Sequence, residues 1–362
     1  MKTYEDSLYQ KLRQDRTMEE VYGIKVNVKK IPDLDEAGYL DPRQLEIIKK
    51  DQAKKKIIDS NISIIEQIRR SMGYPNLNLN TIEIYTKYEE HNFNGNIVKF
   101  WIYTPRKPEG KKDRPCFIYL HGGGWVGGTP YVVENPCKLI SERADAVVVN
   151  VDYALAPEHP FPNGFQDCYN TVKYVYDNAE KYGIDKNKIG IGGDSAGGNL
   201  AAVCTLKDMQ EGTNMIKYEA LIYPVVTFEL VEGLQWDINE YNIHPSQEAI
   251  ITPNLNLGRR DKDGQRDYLE EIYLEHADPQ SDMISPMLAK SHKGLPKTLI
   301  AVAEYDGLRL QAEYYAKILT NEAVDVRVIR YNGICHAFID KLGVLPQAED
   351  LIQEISNDLL SL

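Results

Sequence analysis

The sequence predicts an α/β protein with a mainly parallel sheet, on three observations. Six short apolar runs, "PCFIYLH" (115–121), "AVVVNVDY" (146–153), "KIGIGG" (188–193), "EALIYPVV" (219–226), "KTLIAVAEYD" (297–306) and "DVRVIRY" (325–331), are separated by stretches of helical length or more. Such runs mark strands buried on both faces by crossover helices. Ahead of them, "TIEIYTKYEE" and "NIVKFWIYTPR" alternate about a turn at "NFNGN", as an antiparallel pair does. Glycine clusters sit where two of the apolar runs stop, at the carboxyl ends of strands where open parallel sheets bind their ligands. The expected sheet has eight strands.

The leader before this sheet, residues 1–80, is expected to be a helical segment that either packs as an amphipathic pair on the main domain over 81–362 or forms part of a cap over its site. Residues 33 to about 72 are expected to be helical, with Leu45, Ile48, Ile57, Ile58, Ile62, Ile64, Ile65 and Ile68 spaced along one face until "GYPNLNLN" breaks the pattern. The polar stretch around 228–290, between the sixth and seventh strands, is a second expected cap element or a solvated excursion. No repeat or low-complexity tract interrupts the chain.

Composition narrows the function. With 43% hydrophobic and 27% charged residues, the 362-residue chain has an ordinary globular composition. A formal charge of −12 argues against nucleic acid as a partner, since phosphate-backbone binding needs a basic face. No apolar run reaches the roughly 20 residues that span a bilayer, and the opening "MKTYEDSLYQKLRQDR" lacks the apolar core of a secretory signal. A cytoplasmic location is the expectation. Five scattered cysteines without a C-x-x-C pair argue against a disulfide framework or metal site. Cys335, beside a candidate catalytic histidine, leaves a reactive-thiol reading open.

Four stretches at strand ends carry chemistry. Gly193-Asp194-Ser195-Ala196-Gly197 is a G-x-S-x-G turn between a strand and the helical "NLAAVCTLKDM"; such an elbow lifts a serine Oγ into the open. Twelve serines in this composition give about 0.06 chance matches. "HGGGW" (121–125) ends the third strand, and its glycine amides suit an oxyanion hole. Gly122, Gly123, Gly124 and Ala196 are the candidate donors, with Gly123 and Gly124 favoured and Gly122 shaping the turn. Asp306 ends the seventh strand, and His336 follows the eighth. A serine hydroxyl needs a base, and the base needs an acid to hold its tautomer. Of the four histidines after Ser195, namely His244, His276, His292 and His336, only His336 also follows a strand ending in an acid. Glu304 is the reserve acid. Glu158 and His159, enclosed by prolines in "PEHPFP", are assigned to a rigid turn.

One rival reading uses the same glycines. Gly122-x-Gly124-x-x-Gly127, with Asp152 ending the next strand, matches a dinucleotide fingerprint. Prolines in "TPYVVENP" stand where its phosphate-binding helix would run, and the serine elbow would have no purpose.

Taken together, "HGGGW", "DYALAPEHPFP", "GDSAGGNL", "YLEHADPQSDMISPMLA" and "RYNGICHAF" resemble the hormone-sensitive-lipase-like family of α/β-hydrolases, which contains bacterial carboxylesterases and acetyl esterases. The resemblance runs from about Trp101 to the C-terminus. It implies an α/β-hydrolase fold with a helical cap. Ser195 would be the nucleophile, His336 the general base and acid, Asp306 its orienting carboxylate, and Gly123, Gly124 and Ala196 the oxyanion donors. Two departures bear on the substrate pocket: "DGLRLQ" keeps only Leu308 and Arg309 of the family's pattern after the aspartate, and Ala337 replaces glycine in "HGF". The expected partner is a small-molecule ester, with short acyl groups favoured, no nucleic acid, no cofactor, no metal and no membrane span. A homodimer, an amidase and a binding protein of the same fold that has lost catalysis stay as alternatives.

Overall fold

The computed structural model describes residues 2–53, 62–93, 95–106, 113–234, 236–258 and 267–362. Ten strands appear among them: β1 (Met18–Val21), β2 (Ile24–Lys29), β3 (Ile84–Phe93), β4 (Asn96–Pro105), β5 (Arg114–Leu120), β6 (Val147–Asp152), β7 (Ile184–Asp194), β8 (Tyr218–Ile222), β9 (Lys297–Tyr305) and β10 (Val326–Cys335). They form one sheet in the order β1-β2-β10-β9-β8-β7-β5-β6-β4-β3. The seven strands from β2 to β6 in that order run parallel. An antiparallel strand or pair closes each end.

The strand count corrects the expected eight. The two additional strands lie in the leader, where Tyr22 and Gly23 both take positive φ (51° and 79°) and turn β1 back onto β2. A two-residue turn with positive φ at both positions matches the twist of a hairpin. Ile24, Val26 and Val28 alternate inward along β2, and β2 then pairs in parallel with β10.

The helix expected over 33–72 begins only at residue 42. Asp41 accepts from the Arg43 N–H (2.9 Å), and Pro42 takes the first helical position of Pro42–Ala53, a favoured start. A second helix, Ile64–Ser71, starts from Ser63, whose hydroxyl accepts from the Glu66 N–H. Ile57 and Ile58 lie outside the described residues, as does Asn94 of the "NFNGN" turn. Within 228–290 the described residues form short turns and the helices Glu248–Ile251 and Tyr268–Leu274.

Residues alternate across the sheet between two apolar layers. On β5, Cys116, Ile118 and Leu120 enter one layer, while Phe117 and Tyr119 enter the other; Val147, Val149 and Val151 of β6 face the first and Val148 the second. Helices Asn163–Asp177, Ala196–Glu211 and Arg309–Asn321 cover the first face, and Glu134–Ala144 and Pro346–Leu360 the second. Burial on both faces is why these strands read as unbroken apolar runs. No helix among the described residues is long and apolar enough to cross a membrane.

Candidate active site

The parallel strands deliver their carboxyl ends to one edge. β5 and β7 are neighbours, with Leu120 opposite Gly193, so the loops that leave them meet. β7 ends at Asp194 and the helix Ala196–Glu211 starts two residues later. Ser195 between them has φ 56° and ψ −119°, a conformation that costs a side-chain-bearing residue energy and turns its Oγ out of the strand. A Cβ on Gly193 or Gly197 would overlap the Leu120 carbonyl oxygen. The elbow is rich in glycine because the backbone of β5 lies directly against it. The Ser195 N–H donates to Ile222 O of β8 (2.9 Å), which ties the turn to the other flanking strand.

Three side chains far apart in sequence meet here. His336 Nδ1 lies 2.6 Å from Asp306 Oδ2, and His336 Nε2 lies 2.9 Å from Ser195 Oγ. A carboxylate only accepts, so Nδ1 donates to it, and in the neutral ring Nε2 accepts from the serine hydroxyl. Asp306 is fully buried; its other oxygen accepts from the Leu308 N–H (2.9 Å), and its backbone carbonyl accepts from the Tyr241 hydroxyl (3.0 Å). The Tyr223 ring packs edge-on against His336 at 4.7 Å. Glu304 is turned elsewhere: its Oε2 accepts from the Gly333 N–H at 2.7 Å, and burial raises its pKa.

The glycine loop divides its amides. The Gly122 N–H donates to Asp194 Oδ1 (3.0 Å), so it is already engaged, and its candidacy as an oxyanion donor is corrected to the turn-shaping role. The N–H groups of Gly123, Gly124 and Ala196 have no acceptor among the described residues. Gly123 (φ 134°) and Gly124 (φ 58°) occupy backbone regions that favour glycine. His121 is sealed beneath the loop. It donates from Nδ1 to Gly122 O (2.9 Å) and stacks on Tyr153, and burial pushes its pKa down to about 4, so the ring is neutral.

Leader and insertion both reach this loop. Leu269, from the insertion helix Tyr268–Leu274, would stand 2.8 Å from a Cβ on Gly124, and Tyr273 of the same helix stacks on Trp125 at 4.6 Å. From the leader, Met72 Sδ lies against Gly127, and Arg69 donates to Val126 O (2.6 Å), Ala156 O (3.1 Å) and Glu158. A cavity of about 440 Å³ beside the loop is lined by Arg69, Met72, Gly128, Thr129, Leu155 and His159, among others.

The remaining candidates have other partners. The Arg69 hydrogen bond holds Glu158 down to a pKa of about 2, and His159 is exposed. Asp152 ends β6 opposite Lys99 of β4, and burial raises its pKa. No helix opens at Gly127; the next begins at Glu134, so the dinucleotide fingerprint lacks its phosphate-binding helix terminus. Cys335 is buried and burial raises its thiol to about 12, which keeps it protonated and inert near neutrality. The sequence reading missed Asp194, Tyr119 and Tyr241. Asp194 stood inside the quoted elbow, but its partners are 72 and 75 residues away; no local signal marks Tyr241.

A family model described as the alpha/beta hydrolase fold matches residues 117–340. The chain is 32% identical over 259 residues to an arylesterase of Saccharolobus solfataricus, covering 71% of this chain and 78% of the relative. It is likewise 32% identical over 249 residues to the esterase LipI of Mycobacterium tuberculosis, covering 69% and 73%. Among solved structures, one titled as an arylesterase superposes with a TM-score of 0.73 at 26% identity, covering 89% of this chain and 99% of the other. A Pyrobaculum calidifontis esterase gives 0.71 at 29%, covering 89% and 98%. With the family model spanning more than half of its length, the chain belongs to the α/β-hydrolase fold family, in the hormone-sensitive-lipase-like group that its motifs resemble.

Proposed function

We propose that the protein hydrolyses carboxylic esters of short acyl chains, with Ser195 as nucleophile, His336 as general base and then general acid, and Asp306 as the carboxylate that orients the ring. Its relatives are named arylesterase, esterase and carboxylic ester hydrolase. The observation that carries the residue roles is the unbroken hydrogen-bonded series Asp306–His336–Ser195, beside amide N–H groups that have no acceptor among the described residues.

In this reading His336 Nε2 takes the hydroxyl proton as Ser195 Oγ attacks the acyl carbonyl, and the ring's positive charge is stabilised by Asp306. The carbonyl oxygen becomes an oxyanion held by the amides of Gly123, Gly124 and Ala196. The imidazolium returns its proton to the departing alcohol, leaving an acyl-serine. Water, deprotonated by the same nitrogen, then releases the acid. Leu269 and Tyr273 close over Gly124 and Trp125, which supports acyl groups of a few carbons.

Ser195→Ala is expected to lower kcat for p-nitrophenyl acetate by at least about 10⁴-fold with unchanged circular dichroism. Turnover within tenfold of the wild type would end the assignment. A series of p-nitrophenyl esters from acetate to palmitate tests chain length: kcat/KM should fall beyond the shortest members. Comparing phenyl acetate with acetanilide separates ester from amide cleavage.

A further inference from the structure

We infer that Asp194 is a positioning residue that fixes the oxyanion loop to the serine elbow. The inference rests on the Ser195 reading and extends it. Asp194 is the last residue of β7, directly before Ser195, and is nearly buried. Its Oδ1 accepts two hydrogen bonds, from the Tyr119 hydroxyl near the end of β5 (3.0 Å) and from the Gly122 N–H in the loop that follows (3.0 Å). A Cβ on Gly122 would overlap Asp194 Oδ2, so that position suits glycine because the carboxylate occupies the space of its side chain.

The consequence is geometric. The oxyanion donors come from two loops, Gly123 and Gly124 after β5 and Ala196 after β7. A donor stabilises the transition state only when aimed within a few tenths of an ångström of the developing charge. Asp194 joins the two loops, two residues before Ala196 on one side and, through Gly122, one residue before Gly123 on the other. Burial, then Asp340, push its carboxyl up to about 6, while the hydrogen bonds from Tyr119 and Gly122 oppose the shift. Near pH 8 it is therefore a carboxylate, and hydrogen bonds to a charged acceptor are the stronger kind.

The test compares Asp194→Ala and Asp194→Asn with wild type at pH 8, measuring kcat and KM on p-nitrophenyl acetate, thermal midpoint, and affinity for an aryl trifluoromethyl ketone that mimics the tetrahedral oxyanion. Asp194→Ala should lose about 100-fold in kcat and a similar factor in ketone affinity, with KM within threefold. Asp194→Asn, whose amide oxygen still accepts from both donors, should remain within fivefold of wild type on all readouts. A folded Asp194→Ala with kcat within threefold of wild type overturns the inference. So does a folded Asp194→Asn that falls more than 20-fold, and this arm decides the matter if the alanine variant does not fold. Full activity in Ser195→Ala would instead remove the underlying reading, so the two failures are distinguishable.

Discussion

Residues 2–31 and residues 62–80 both precede the strands that the sequence announces, yet they are attached to the body in different ways. The first region is built into the sheet. β2 pairs with β10, and Lys29, with no exposed side-chain surface, donates to Leu12 O (2.7 Å) and faces Asp350 and Glu354 at 3.6 and 3.5 Å. Arg13 binds the same two acids of the helix Pro346–Leu360. The helix Ile64–Ser71 in the second region buries none of its residues and is held at Arg69 by hydrogen bonds and a half-exposed ion pair with Glu158. Position before the catalytic strands therefore says nothing about how tightly a segment is joined. Burial of polar groups makes the first region part of the sheet; in the second, the helix Ile64–Ser71 only covers the glycine loop, and the tie to the body passes through the residues after it, where the Leu77 N–H donates to Leu342 O (2.9 Å) and Asn76 to Val132 O (2.6 Å).

The largest effect should come from breaking the first attachment. Lys29→Ala leaves two acids short of a buried partner, and losses of this kind run to about 3–5 kcal/mol. Urea unfolding should show it, while kcat per folded molecule stays within twofold. A loss under 1 kcal/mol would mean that the first region is no better anchored than the second.

A buried acid outside both regions sharpens the contrast. Glu219 on β8 is nearly inaccessible, and burial raises its pKa from 4.5 to about 7. A folded-state value above the unfolded one means that the stability gained from the protonated form is present below about pH 4.5 and is lost as pH rises through 7. Wild type should lose up to about 3 kcal/mol between pH 5 and pH 8 relative to Glu219→Gln. Equal pH dependence in the two proteins would show that the group is not the source. Glu354, the acid of the helix Pro346–Leu360 that the leader binds, has the opposite sign: burial works to raise its pKa, but Arg327, Arg13 and Lys29 hold it low, so its contribution is lost as pH falls.

The smallest effect is expected from Arg69→Ala. A partly exposed ion pair contributes up to about 1 kcal/mol, so stability should change little. KM for p-nitrophenyl esters should rise about threefold with kcat unchanged. A stability loss as large as that of Lys29→Ala would erase the distinction.

Much of this molecule is legible in its sequence. Strands β3 to β10 appear as apolar runs or alternation because neighbouring residues share a burial environment. The serine elbow and the glycine loop are recognisable because steric demands on a tight turn are local. β1 and β2 were harder to see. They are four and six residues long, β1 is exposed, and β2 finds its partner in β10 about 300 residues later. Ala337, which stands where the family motif has glycine, takes a left-handed φ of 58°, so the backbone keeps the turn that the motif implies despite its Cβ.

The chain order alone thus determined which elements form and which chemical groups stand at their ends, since backbone sterics and burial periodicity act over a few residues. Only the tertiary structure decided that Asp306 rather than Glu304 faces His336, that Gly122 gives its amide to Asp194 while those of Gly123 and Gly124 find no acceptor among the described residues, and that residues 18–29 of the leader, after its first helix Asp6–Gln14, join the sheet. These depend on contacts across 30, 72 and about 300 residues. Hydrogen-bond geometry varies over tenths of an ångström, and at such separations it is set by how whole layers pack, which no local pattern records.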